Sequence, residues 1–213
     1  DRSPSRGLGD VYKRQYLSYG NMYLDFQDGA SPDNVENYSR DLNLRNAVSS
    51  VDYDYKGTHY HREYFVSYPD NVLVTRLTAE GGTLDFDVRV EPDDQKGGGS
   101  NNPSAESYGR SWDTDVKDGV ISINGELTDN QMKFSSHTKV VADEGGKVKD
   151  GTEKVSVSGA KEVTIYTSIG TDYKNEYPEY RTGQTAEEVS ARIKAYVCLL
   201  YTSDAADDLI GVD

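Results

Sequence analysis

An antiparallel β-sandwich followed by one helix is the fold this sequence predicts, on three observations. Apolar and polar residues alternate with period two along most of the chain, as strands with one buried and one wet face require. Turn residues recur roughly every ten positions, which spaces short strands rather than helices. Seventeen tyrosines stand against four phenylalanines and one tryptophan, a choice suited to half-buried strands whose rings pack inward while the hydroxyls reach water. Only 35% of the 213 residues are apolar and 28% are charged, so the predicted core is thin and layered.

The elements follow in order. Val51, Tyr53 and Tyr55 alternate with Asp52 and Asp54, and Lys56-Gly57 marks a hairpin because glycine accepts the positive φ of such turns. The next strand runs to about Ser67, where Tyr68-Pro69-Asp70-Asn71 supplies turn chemistry. From Val72 to Ala79 apolar groups fall on both faces. After Gly81-Gly82, Leu84, Phe86, Val88 and Val90 oppose Asp85, Asp87 and Arg89, giving a strand wet on one side only. Residues 92–110 hold Gly97 to Gly99 and Pro103 among polar groups, and predict a long mobile loop. Strands resume over 119–127, 131–142, 154–159 and 162–169, with hairpins expected at Gly145-Gly146 and Asp150-Gly151. The period then changes. Thr185, with Glu188 three residues on, is a capping box, and Val189, Ile193 and Tyr196 follow at helical spacing, predicting a helix over about 185–197.

Charge excludes some functions. A net charge of −14, with acid spread along the length, disfavours nucleic acid and anionic membrane surfaces, which need a basic face. No window approaches about 18 uninterrupted apolar residues, so no membrane-spanning helix is expected. The single cysteine, Cys198, leaves no disulfide within the chain and the redox compartment open.

The stretch 57–66, GTHYHREYFV, is the densest candidate for chemistry. His59, His61 and Glu63 line one face of a strand, and a histidine pair at this spacing can ligate zinc. Glu63 lies about 13 Å from His59 at ~3.3 Å per residue, however, so the three cannot close on one ion without strong bending. His137 is the only other histidine available as a third ligand. A polar, wet or interdomain strand face is the better reading. Asp85 and Asp87 resemble a glycosidase carboxylate pair on paper, but their alternation with apolar partners describes a solvated face. No Gly-x-Ser-x-Gly elbow or phosphate-binding loop is present. Asn37-Tyr38-Ser39 is a formal glycosylation sequon.

A family resemblance supplies what spacing does not. The blocks NMYLDFQ, VENYSRDLNLRNAVSSVDYDYKGTHYHREYFVSYPDNVLVTRLTAE and VTIYTSIGTDYKN resemble the amino-terminal β-sandwich of glycoside hydrolase family 95, whose members are chiefly α-L-fucosidases. The most specific elements are residues 38–42, 62–67 and 69–74. The resemblance implies an antiparallel super-sandwich, then linker helices, then an (α/α)₆ barrel where a glutamic acid and a water-positioning aspartate perform inverting hydrolysis. Those two groups stand ~6.5–9.5 Å apart in an inverting enzyme. None of the barrel residues has a counterpart here, and no catalytic, cofactor-binding or metal residue is assigned to this chain.

The expected organisation follows. Residues 16–184 form the sandwich, with its first strands missing, and 185–197 begin the linker helix. Residues 1–15 and 198–213 resemble translated sequencing adapter at the edges of a metagenomic fragment and are expected to be non-native tails. The expected partners are the chain's own missing (α/α)₆ barrel and, through the parent enzyme, fucosylated glycans. Two other readings compete: a free-standing carbohydrate-binding module using tyrosines as stacking platforms, and the related sandwich of a glycoside phosphorylase. Unpaired sheet edges and an uncovered docking face would leave such a fragment marginal or prone to aggregate.

Overall fold

The computed structural model describes residues 18–93, 109–128 and 130–199, with Leu199 described by its backbone alone. Two antiparallel sheets pack face to face. The smaller has the order β1-β6-β11-β10, from β1 (Gly20–Phe26), β6 (Leu84–Pro92), β10 (Lys147–Asp150) and β11 (Lys154–Ala160). The larger has the order β2-β3-β4-β5-β12-β9-β8-β7. Its strands are β2 (Glu36–Asn43), β3 (Val48–Tyr55), β4 (Thr58–Ser67), β5 (Val72–Glu80), β7 (Arg110–Lys117), β8 (Val120–Leu127), β9 (Lys133–Ala142) and β12 (Glu162–Thr171). The predicted mobile loop falls mostly on 94–108, outside the described residues, and its flanks are strand: Pro92 ends β6 and Arg110 opens β7.

The core lies between the sheets and is built from the predicted alternation. Leu84, Phe86, Val88 and Val90 of β6 point inward and are buried, against Leu77 of β5, Ile121 and Ile123 of β8 and Ile165 of β12. Each such side chain contributes about 1.5–3 kcal/mol by leaving water. Toward one edge the core turns aromatic: Tyr53 stacks on Tyr60 with centroids 5.0 Å apart. Arg62 lies over Phe26 and Tyr53 and donates to the Tyr53 hydroxyl at 2.6 Å. Beyond that edge β2 is exposed on both faces.

One short connection behaves differently from the sequence expectation. Gly145-Gly146 does not close a hairpin: β9 lies in the large sheet and β10 in the small one, where it pairs with β11. Gly81-Gly82 likewise carries the chain from β5 across to β6. Glycine is required here by proximity, since a Cβ on Gly146 would press on the Cβ atoms of Ala142 and Ala160. The expected Asp150-Gly151 hairpin does form, between β10 and β11.

Strand β5 is apolar on both faces because both are covered. Its inward residues join the main core, whereas Val72 and Val74 join Tyr166 and Val197 in a second cluster on the outer face. That cluster sits beneath helix α1 (Ala186–Leu199). Thr185 caps α1 as predicted: its hydroxyl accepts from the Glu188 amide at 3.2 Å, and Glu188 accepts from the Thr185 amide at 2.8 Å. Val189, Ile193 and Val197 are buried against β9 and β12. The strand below makes room for Ile193 with a glycine, since a Cβ on Gly170 would overlap Ile193 Cδ1. No helix among the described residues is long and apolar enough to cross a membrane.

Candidate functional site

His59, His61 and Glu63 do share the outer face of β4, as the strand period requires. Register places Asp54 opposite His59 and Asp52 opposite His61 on β3, and Arg76 of β5 opposite Glu63. The side chains pair laterally across the strands. His59 Nδ1 lies 2.6 Å from Asp54 Oδ1, and His61 Nδ1 lies 2.6 Å from Asp52 Oδ1. Glu63 stands 3.6 Å from both His61 Nε2 and Arg76 Nη1. Arg76 then forks onto Glu162 of β12 at 3.0 and 2.9 Å, joining residues 86 positions apart in sequence. Asn37 of β2 donates to Asp54 at 2.5 Å and closes the far end. The result is a ladder of alternating charge across five strands.

Electrostatics follow the ladder. The hydrogen bond that the His59 ring donates to the Asp54 carboxylate raises the His59 pKa above its ordinary value. Asn37 and His59 together lower that of Asp54. Each histidine spends a ring nitrogen on a carboxylate of the neighbouring strand, and the atom that both rings approach is Asp52 Oδ1, 2.6 Å from His61 Nδ1 and 3.6 Å from His59 Nε2, so a carboxylate oxygen occupies the space between them. His137 cannot join them, because β5 and β12 separate its strand from β4, about 14 Å at ~4.8 Å per strand. Among the described residues no group of three His, Cys, Asp or Glu side chains is arranged to hold a metal ion.

His137 has a different environment. It is 2% exposed beneath α1, with Nδ1 2.9 Å from Ser122 Oγ and Nε2 3.1 Å from Ser190 Oγ. Ser135 Oγ lies 3.2 Å from Nε2 as well. Burial, aided by the positive charge of Lys194, pushes its pKa down to about 4. The neutral ring therefore ties β8 and β9 to the helix.

The carboxylates of β6 are also accounted for. Asp87 accepts from Lys154 Nζ at 2.6 Å and from Ser156 Oγ at 2.5 Å, and these partners lower its pKa, Lys154 most. Asp85 accepts from Thr83 Oγ1 at 2.8 Å and from the Gly159 amide at 3.0 Å. Both stand on the outward face of the small sheet, as their alternation predicts, and both stitch strands. Asn37 of the sequon is exposed on β2 with φ of 52°, at the point where β2 and β3 slip register.

One feature was not singled out by its residues. After β12 the segment 172–185 folds into a loop stapled at its base. Asp172, 3% exposed, accepts from the Lys133 amide at 3.1 Å and faces Arg181 Nε at 3.6 Å. Its carbonyl accepts from the Thr182 amide at 2.8 Å. Lys133 Nζ donates to the Gln184 carbonyl at 2.9 Å. From this base Tyr173, Tyr177 and Tyr180 project at 46%, 84% and 40% exposure, whereas Tyr53, Tyr55, Tyr60 and Tyr166 are buried in the sheets. Sequence spacing could have flagged three tyrosines in eight positions. Their outward orientation depends on the Asp172 staple, which no local pattern announces.

Comparisons with known proteins agree with this architecture. The family model for the glycosyl hydrolase family 65 N-terminal domain matches residues 5–176. "Alpha-L-fucosidase 2" of Arabidopsis thaliana is 24% identical over 172 residues, covering 76% of this chain and 20% of the relative. "Probable alpha-fucosidase A" of Aspergillus niger is 27% identical over 203 residues, covering 90% of this chain and 24% of the relative. A solved structure titled "Putative kojibiose phosphorylase from human microbiome" superposes with a TM-score of 0.53 at 11% identity, over 89% of this chain and 27% of that one. That likeness concerns the fold alone. The chain thus spans about a fifth to a quarter of these curated relatives, and by its match over most of its length it belongs to the glycosyl hydrolase family 65 N-terminal domain family.

Proposed function

We propose that this chain is the amino-terminal sandwich of a family 95 α-L-fucosidase, a support for a catalytic (α/α)₆ barrel and not itself the site of hydrolysis. The observation that carries the reading is the pair of fucosidase relatives, similar across 76% and 90% of the chain. The geometry is compatible with a support. Asp52, Asp54, Glu63, Asp85 and Asp87, the acids that sequence made conspicuous, are each committed to partners on neighbouring strands or turns. The outer face of the large sheet already receives α1, and the barrel would dock beside it, next to the charge ladder. In the parent enzyme the glutamic acid would protonate the leaving oxygen while the aspartate activates water on the opposite face.

The test is the intact reading frame, expressed and offered nitrophenyl α-L-fucoside, with the anomer of the released fucose followed by NMR. Turnover with inversion is expected. Phosphate-dependent cleavage of a glucosyl disaccharide, with no action on the fucoside, would move the chain to the phosphorylases.

A further inference from the structure

Exposed hydrophobic side chains are ordinary when scattered singly. Three tyrosines within eight residues, on one stapled loop, are not scattered. Tyr177 and Tyr180 meet edge to face, their centroids 6.3 Å apart and their planes at 82°, so two aromatic faces form an open corner. The Tyr173 hydroxyl donates to Asn175 Oδ1 at 3.4 Å on the same loop. The loop's own hydrogen bonds fix this arrangement: the Lys174 amide donates to the Tyr180 carbonyl at 3.3 Å, and the Tyr180 amide to the Glu176 carbonyl at 2.9 Å. Tyr173 also bridges to Arg181 as a short antiparallel pair.

We propose that the loop 172–181 is a saccharide-binding platform, with Tyr177 and Tyr180 stacking on a neutral pyranose. The choice of occupant rests on composition. Between Asp172 and Thr185 the sequence has no Leu, Ile, Val, Met or Phe, so a protein partner's apolar core would find little aliphatic surface to join beyond the Pro178 ring. A pyranose asks for what the loop has. Its axial C–H groups form an apolar patch that sits on the electron-rich face of a ring, and its hydroxyls need donors and acceptors at the rim. Lys174, Asn175, Glu176 and Glu179 supply both. Because the Asp172 staple already orders the backbone, binding spends little entropy on immobilising it. A chain of net charge −14 repels uronates and sulfated sugars, which selects neutral ones. The saccharide class of the platform rests on the glycosidase reading.

The experiment uses the 213-residue chain, ¹⁵N-labelled, titrated with a neutral fucosylated trisaccharide, with maltotetraose and with a sulfated disaccharide. Amide shifts at 172–181 with one of the neutral sugars are expected. Tyr177→Ala with Tyr180→Ala should weaken that binding about tenfold or more, and Tyr177→Phe should preserve most of it. Spectra away from the loop report whether each variant is folded. Three results would overturn the proposal: no shift with any neutral sugar, equal binding by the double variant, or broadening that tracks protein concentration, which assigns the tyrosines to a second copy. Fucoside turnover by the intact frame with no binding here would sink the platform alone; binding here without fucoside turnover would sink the fucosidase reading alone.

Discussion

His137 makes the stability of this domain depend on pH in a calculable way. The ring is 2% exposed and satisfied while neutral by Ser122, Ser135 and Ser190. Ser168 of β12 stands beside it in register, and Lys194 of α1 is the cation among the described residues that acts on it. Its folded pKa is about 4 against 6.5 when free. Between those values the unfolded chain binds a proton that the folded chain does not, so stability rises with pH. At 1.36 kcal/mol per unit, the full shift corresponds to about 3 kcal/mol, present above pH 6.5 and lost progressively down to about pH 4. Urea unfolding followed by circular dichroism at half-unit steps between pH 4 and 7.5 measures the slope. His137→Gln keeps a hydrogen-bonding side chain but cannot titrate, so the difference between the two proteins isolates the ring. NMR titration of the ring should give a midpoint far below 6.5. An ordinary midpoint, or equal pH slopes in wild type and variant, would show that the buried ring does not set the pH dependence.

Other outcomes follow from named contacts. Gly170→Ala should cost about 1–3 kcal/mol by overpacking, because the new methyl displaces Ile193; hydrogen exchange should accelerate in α1 before the sheets. Thr75 is fully buried and its hydroxyl finds no protein partner among the described residues, so Thr75→Val should raise the denaturation midpoint by about 1 kcal/mol equivalent. The raised His59 pKa means that its pairing with Asp54 helps the fold below the ordinary imidazole range and is lost as pH rises through the folded value. Asp54→Asn should lower the His59 midpoint in an NMR titration; an unchanged midpoint would assign the shift to other acids.

Much of this fold was legible because strands repeat every two residues. Leu84 to Val90 face inward and Asp85 to Arg89 outward, as alternation demands. The two-sided apolar pattern of β5 announced a strand covered on both faces, and Thr185 with Glu188 marked the start of the helix. Sheet membership was not legible. Turn chemistry at Gly81-Gly82 and Gly145-Gly146 says that the chain reverses, but which sheet receives the next strand depends on distant partners. The β5–β12 pairing, between residues 84 to 94 positions apart, is such a case. For the histidines, spacing was sufficient to place His59 and His61 on one face and to argue against a shared ion with Glu63. The Asp52 and Asp54 partners came only with the β3–β4 register, and the burial of His137 only with the return of α1. The tyrosine loop was hidden for the same reason, since Asp172 acquires its role from Lys133 on β9.

If these strands support chemistry carried elsewhere in the protein, a paired activity assay will separate the two. The 213-residue chain and the intact reading frame would be assayed side by side on nitrophenyl α-L-fucoside at matched concentrations. Hydrolysis by the longer protein and no turnover above buffer by the chain alone are expected. Turnover by the chain alone, abolished by a substitution such as Asp52→Asn or Glu63→Gln, would place bond-breaking groups within the sandwich and contradict a supporting role.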